Sequence, residues 1–250
     1  MNWLFVKGLA RGQVHWDRLP EIFAQAVPEA RVFFLDLPGV GEATDRKAPA
    51  TVAGIVSDLR ERFVALRESH EGPWSILAIS LGGMIAMEWA MRHPDDFERA
   101  VVIVSSATNV SPPWKRLMPE TLPGYLRALG TSDLATRERI TLGTITNFEE
   151  GRERLIEEWL KLTDVCPLPA AATAKQLLAA SLWAAPDSLP IPTLFLGTDG
   201  DRMVHPSCTP KLAKRFGAPL VMHPDAGHEI PLDDPVWVAD QVREWLDGAE

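Results

Sequence analysis

Cysteine is nearly missing from this chain. Its 250 residues include two, Cys166 and Cys208, too few for a disulfide framework and without metal-type spacing. Each is expected to be a half-buried structural thiol rather than a nucleophile. A basic excess is missing as well: 25 Lys and Arg face 34 Asp and Glu, for a formal net charge of -9. With no basic tail or stripe, the composition argues against nucleic-acid binding. No apolar run approaches the length of a membrane span. The N-terminal run Trp3-Leu4-Phe5-Val6 is too short for a signal peptide and no cleavage-like segment follows it. A soluble cytoplasmic protein is therefore expected. Internal repeats, low-complexity tracts and linker-like stretches are absent too. What remains is 46% hydrophobic and 24% charged, and long enough for one large core.

Short continuous apolar runs fit strands buried on both faces. They fall at residues 3–6, 32–35, 74–79, 101–104, 193–196 and 220–222. Helical spacing occupies residues 16–26, 52–67, 84–91, 210–216 and 236–246, and Thr51 is placed to cap the second of these. The alternation of strand and helix predicts an α/β fold with a mostly parallel sheet of about six strands flanked by helices. Between residues 107 and 190 no strand-like run occurs, prolines cluster at both ends, and four amphipathic helices can be drawn at 122–129, 134–145, 152–162 and 171–183. The expected organisation is a core of residues 1–106 and 191–250 with a helical insertion, 107–190, after the fourth strand.

The stretch from Trp74 to Ala86 organises the rest. A strand-length run drives into Ser80, Gly82 and Gly83 follow, and helix begins. A serine at such a sharp strand-to-helix turn is a nucleophile elbow, here with Ala78 in place of the first glycine of G-x-S-x-G. A serine nucleophile needs a base, and the base an orienting acid, at the carboxyl ends of neighbouring strands. His228, after Gly227 in the loop leaving the last strand, is the preferred base over His223 and His205. His70 and His93 read as helix-end caps. Asp201, in the loop after residues 193–196, is preferred over Asp199, which precedes a glycine and suits a turn. Asp225 lies in the short loop of His228 itself.

The order Ser80, Asp201, His228 after successive strand ends resembles the α/β-hydrolase fold over nearly the whole chain. The phrase Asp36-Leu37-Pro38-Gly39-Val40-Gly41 is similar to the D-L-P-G-x-G turn of lipases and esterases, and Gly227-His228 with Pro235 resembles the histidine loop. The insertion sits where that family places its lid, and the chain is particularly similar to small lidded serine carboxylesterases. The resemblance implies attack by Ser80 on a carboxylic ester or thioester, with the N–H groups of Leu9 and Leu81 as oxyanion hole and no metal or organic cofactor. Ser80 argues against the dehalogenase and epoxide-hydrolase branches, which carry an aspartate there. A C–C or amide hydrolase with the same triad, and a non-catalytic binding protein on the same scaffold, remain alternatives.

Departures from the pattern are informative. Lys7-Gly8 stands where the family has His-Gly, Ala43 where a serine is common, and the family's antiparallel hairpin is not expected. The Lys7 ammonium should either reach solvent or stand with Arg11 at the pocket mouth, favouring an anionic substrate. Trp114, Met203 and Ile230 are further expected pocket residues. Leu117, Met118, Leu122, Tyr125, Leu129, Trp159 and Trp183 could line an acyl pocket or pack the insertion onto the core. A small-molecule ester is the expected partner. Lys115, Arg116, Arg127, Arg137 and Arg139 could greet an acidic acyl-carrier protein, although an ordinary solvated surface explains them better, given the five glutamates between 149 and 158.

Overall fold

Six strands form one sheet, and every pairing in it is parallel. The computed structural model describes residues 1–131, 133–161 and 170–248, apart from the side chains of Tyr125 and Leu129. Cys166 lies outside the described residues. The strands are β1 Asn2–Val6, β2 Arg31–Phe34, β3 Trp74–Ile79, β4 Arg99–Ile103, β5 Thr193–Thr198 and β6 Leu220–His223, in the order β2-β1-β3-β4-β5-β6. β3 lies in the middle of the sheet, between β1 and β4, so the turn that follows it is flanked on both sides.

Alternate side chains of these strands enter two separate cores, as a period of two requires. On one face Leu4, Val6, Ile76, Ala78, Val102 and Phe195 pack against α2 Val52–Glu68, α3 Leu81–Arg92 and α9 Cys208–Phe216. On the other, Trp3, Phe5, Leu77, Ile79, Val101, Ile103, Leu194 and Leu196 meet α1 Leu19–Ala26 and α11 Pro235–Asp247. Both faces of the four inner strands β1, β3, β4 and β5 are buried almost throughout, which is why these strands read as apolar runs, whereas the edge strands β2 and β6 are mostly half-buried. Thr51 caps α2 as expected, its hydroxyl accepting from the Gly54 N–H at 3.1 Å.

Two local expectations change. The helix expected over 16–26 is split into a 3-10 turn, Gln13–Trp16, and α1, because Asp17 adopts a positive φ of 48° between them. Cys208 is fully buried rather than half-buried, with its thiol donating to the Lys115 carbonyl at 3.4 Å.

Among the described residues the segment between β4 and β5 contains helices joined by loops and no strand. It carries the short α4 Pro113–Arg116, then α5 Leu122–Gly130, α6 Leu134–Ile145, α7 Arg152–Lys161 and α8 Ala170–Leu182. Leu142, Ile145, Ile156 and Trp159 give this segment a small core of its own. Trp183 instead joins the main core, its indole donating to Glu88 of α3 at 3.0 Å. The short α10 Ile230–Asp233 follows the loop after β6. Among the described residues no helix is long and apolar enough to cross a membrane.

Candidate active site

Ser80 stands between β3 and α3 with φ 57° and ψ -117°, a conformation that L-residues rarely adopt. The surroundings over-determine it. Its N–H donates to the Ile103 carbonyl at 2.9 Å, and its own carbonyl accepts from the Ser105 hydroxyl at 2.9 Å and from the Met84 N–H at 3.2 Å. A side chain at Gly82 would strike the main-chain oxygens of Val6 and Lys7, the second at 2.7 Å, and one at Gly83 would meet Val102 at 2.9 Å. Only glycine lets the helix leave the sheet so closely.

The loops after β5 and β6 bring Asp201 and His228 together. His228 Nδ1 lies 2.8 Å from Asp201 Oδ2, with both side chains buried. Asp201 Oδ1 accepts from the N–H groups of Met203 and Val204, at 2.8 and 2.9 Å, so the carboxylate cannot swing. Burial alone would lower the pKa of His228, but the Asp201 charge and hydrogen bond, helped by Glu229, carry it above the ordinary histidine value. The rival groups have other work. Asp199 and Asp225 are exposed, His223 accepts from the N–H groups of Asp225 and Ala226, and His205 accepts from that of Ser207. Among the described residues no hydrogen bond joins Ser80 to His228, a contact that in unliganded hydrolytic sites is often long.

A cavity of about 410 Å³ opens over Ser80. Leu9, Leu81, Met84 and Val104 line it from the core, Trp114, Leu117, Leu122, Leu177 and Ala180 from the helical segment, and Met203 and Val204 from the loop after Asp201. The segment between β4 and β5 thus roofs the serine. Leu81 opens α3, where an N–H has no acceptor one turn back. Neither its N–H nor that of Leu9 donates to a protein acceptor among the described residues. Gly8 brings the Leu9 loop against the elbow, since a Cβ there would lie 3.2 Å from that of Ser80. Arg116, which also lines the cavity, fastens α4 to the end of α8 by donating to the Ala180 and Ser181 carbonyls at 2.5 and 3.0 Å.

Three expected pocket residues are elsewhere. Lys7 is neither in solvent nor at the mouth: it is 2% exposed, its Nζ is 2.7 Å from Glu229 Oε2, and it lies 4.2 Å from the centre of the Trp16 ring. Arg11 is buried against Glu138 of α6 at 2.6 Å and leans on Trp159. Each cation faces a carboxylate rather than the cavity, which removes the argument for an anionic substrate built on them. Ile230 is fully buried in the core on the α1 and α11 side of the sheet. Of the aromatic and aliphatic residues of the insertion, Trp159 and Trp183 pack the core as described, while Tyr125 and Leu129 have side chains outside the described residues.

Several residues of the site carry no signal that their spacing alone discloses. Gln176 of α8 is fully buried, accepting from the Ala10 N–H at 2.9 Å and donating to the Pro38 carbonyl at 3.3 Å. Asn147 donates to the carbonyls of Gly200 and Asp225, each at 2.8 Å, and so links the loops of Asp201 and His228. Glu229 has a visible signal, since it directly follows His228.

The model of the alpha/beta hydrolase family matches residues 4–241, nearly the whole chain. The chain belongs to the alpha/beta hydrolase family. This family member is 25% identical over 169 residues to the biotin biosynthesis bifunctional protein BioHC of Teredinibacter turnerae, a match covering 63% of this chain and 28% of that one. It thus spans well under half of that relative. It is 27% identical to the pimeloyl-[acyl-carrier protein] methyl ester esterase of Klebsiella pneumoniae, over 90% of this chain and 95% of the relative. Its fold is similar to that of a thermophilic esterase from Thermogutta terrifontis, with a TM-score of 0.76 and 22% identity over 99% of this chain and 90% of the other.

Proposed function

We propose that this hydrolase cleaves carboxylic esters of small molecules through an acyl-enzyme on Ser80, within the cytoplasm. The core in this reading is residues 1–106 and 191–250, and residues 107–190 form a lid. His228 takes the proton from the Ser80 hydroxyl as its Oγ attacks the ester carbonyl. Asp201 holds the imidazole with Nδ1 protonated and Nε2 free to act. The N–H groups of Leu9 and Leu81 receive the oxyanion, where water is largely excluded and such donors count most. His228 then hands its proton to the departing alcohol, and water, deprotonated by the same base, releases the acid.

One observation carries the reading: the buried 2.8 Å contact of His228 with Asp201, on the loops beside a serine strained at φ 57°. The names of the relatives, esterases among them, support the ester as the bond cleaved. The K. pneumoniae relative is named for an acyl-carrier-protein ester. A carrier protein is not the favoured partner here, because Arg116, Arg137 and Arg139 are engaged within the insertion, by the α8 carbonyls, the Thr131 carbonyl and Glu153.

A panel of short p-nitrophenyl esters, thioesters, amides and β-diketones tests the proposal. Turnover of the esters, abolished in Ser80→Ala, is expected. Turnover of the diketones or amides alone would move the chemistry to C–C or amide cleavage, and no turnover at all would leave a binding protein.

A further inference from the structure

Lys7 and Glu229 lie 222 residues apart in sequence and 2.7 Å apart in space. Both side chains are almost wholly buried, and Trp16 lies against the ammonium. A pair of this kind is a poor device for stability, since two well-packed apolar residues often do as well or better. Its placement says more. The Lys7 carbonyl abuts Gly82 at the start of α3, and two residues later comes Leu9 at the cavity wall. Glu229 directly follows His228, and its N–H is held by the Ile145 carbonyl at 2.8 Å. One ion pair therefore spans the gap between two loops that otherwise come from opposite ends of the chain.

We propose that Lys7 and Glu229 are positioning residues: their buried ion pair clamps the loop bearing the Leu9 N–H to the loop bearing His228, and sets the field at the imidazole. This rests on the hydrolase reading above, with Leu9 as oxyanion donor and His228 as base. The charges facing His228 are Asp201, Glu229 and Lys7, and those facing Lys7 are Glu229, Arg11 and Asp17. His15, beside Arg11 and Lys7, is kept neutral by burial and by those two cations. Glu229 favours the imidazolium and Lys7 disfavours it, so the two halves of the pair act on the base with opposite sign. Neither touches the reacting atoms.

The test is the pH profile of kcat/KM on a short p-nitrophenyl ester, with Ser80→Ala as the blank. Its acid limb reports the free-enzyme base. In Glu229→Gln the limb should move to lower pH, and kcat should fall about tenfold with KM changed by less than about twofold, as a misplaced donor and base require. In Lys7→Met combined with Glu229→Gln the limb should return towards that of the parent while kcat stays low, because the clamp is gone. A purely structural pair would lower the melting temperature and leave the limb where it was. A Glu229→Gln limb that coincides with the parent's, or a kcat within about twofold of it, overturns the proposal. Should Glu229→Gln fail to fold around an unpaired Lys7, the double variant decides alone: low kcat at unchanged KM supports the clamp, and parental kcat overturns it. A parent without Ser80-dependent turnover would sink the hydrolase reading and the clamp together, a result distinct from the others.

Discussion

Asp201 holds His228 with one carboxylate oxygen, 2.8 Å from Nδ1, and is itself held at the other by the N–H groups of Met203 and Val204. The carboxylate proposed to orient His228 is thus fixed by its own loop before any substrate arrives, and Asp199, two residues earlier, is exposed. Asp201→Asn should lower kcat by about ten-thousandfold, because the amide can steady the ring in the wrong tautomer and cannot stabilise the imidazolium. Asp199→Asn should leave kcat within about twofold of the parent. Steady-state kinetics on one ester distinguishes them, and the reverse result would remove Asp201 from the site.

The proposed base, His228, should titrate late. The pKa of His228 lies above the ordinary value of about 6.5, with burial opposing and Asp201 and Glu229 prevailing. The proposed mechanism needs the neutral ring, so kcat/KM should rise with pH through a midpoint above that value. By linkage the same shift stabilises the fold fully below the ordinary histidine pKa and is lost as pH rises through the folded-state value. An acid limb with its midpoint below about 6.5 would contradict this electrostatic picture.

Gly82 is the sharpest steric demand at the elbow. Gly82→Ala would push a methyl into the main-chain oxygens of Val6, the last residue of β1, and of Lys7 directly after it, and backbone there cannot move aside cheaply. A loss of about 1–3 kcal/mol or more is expected, with activity falling further because Ser80 shifts. Thermal melting and ester turnover measured together would show both effects, and a parental melting temperature would contradict the geometry.

Phe63 on α2 is fully buried among Trp74, Trp89 and Phe97, with ring centres 5.0–5.4 Å away. Phe63→Ala should cost about 3–5 kcal/mol. The cluster lies in the core that α2 and α3 share, so activity per folded molecule should change little. Chemical denaturation gives the cost directly, and a loss below about 1 kcal/mol would mean the cavity collapses.

What could be read in the sequence was whatever is written locally. The strand ending in Ser80, with two glycines behind it, declares its turn because the turn's steric needs are met within four residues. Asp201 and His228 follow strands that read as apolar runs, so their placement at one end of the sheet follows from a parallel arrangement. Lys7 misled because its partner is remote: nothing near position 7 says that Glu229, at the far end of the chain, supplies the counter-charge. Arg11 with Glu138 repeats the lesson. The break at Asp17 was hidden for a different reason, since flanking apolar residues at helical spacing do not reveal one residue with positive φ.

Ester turnover by Ser80→Ala tests the central claim most directly. The substitution removes one oxygen from a residue whose main chain is fixed by Ile103, Ser105 and Met84, so the fold and the melting temperature should survive. In the proposed mechanism nucleophile, base and acid act as a unit, so kcat on a p-nitrophenyl ester should fall by about a thousandfold or more. A folded Ser80→Ala protein that retains a tenth of the parent's turnover would contradict the account.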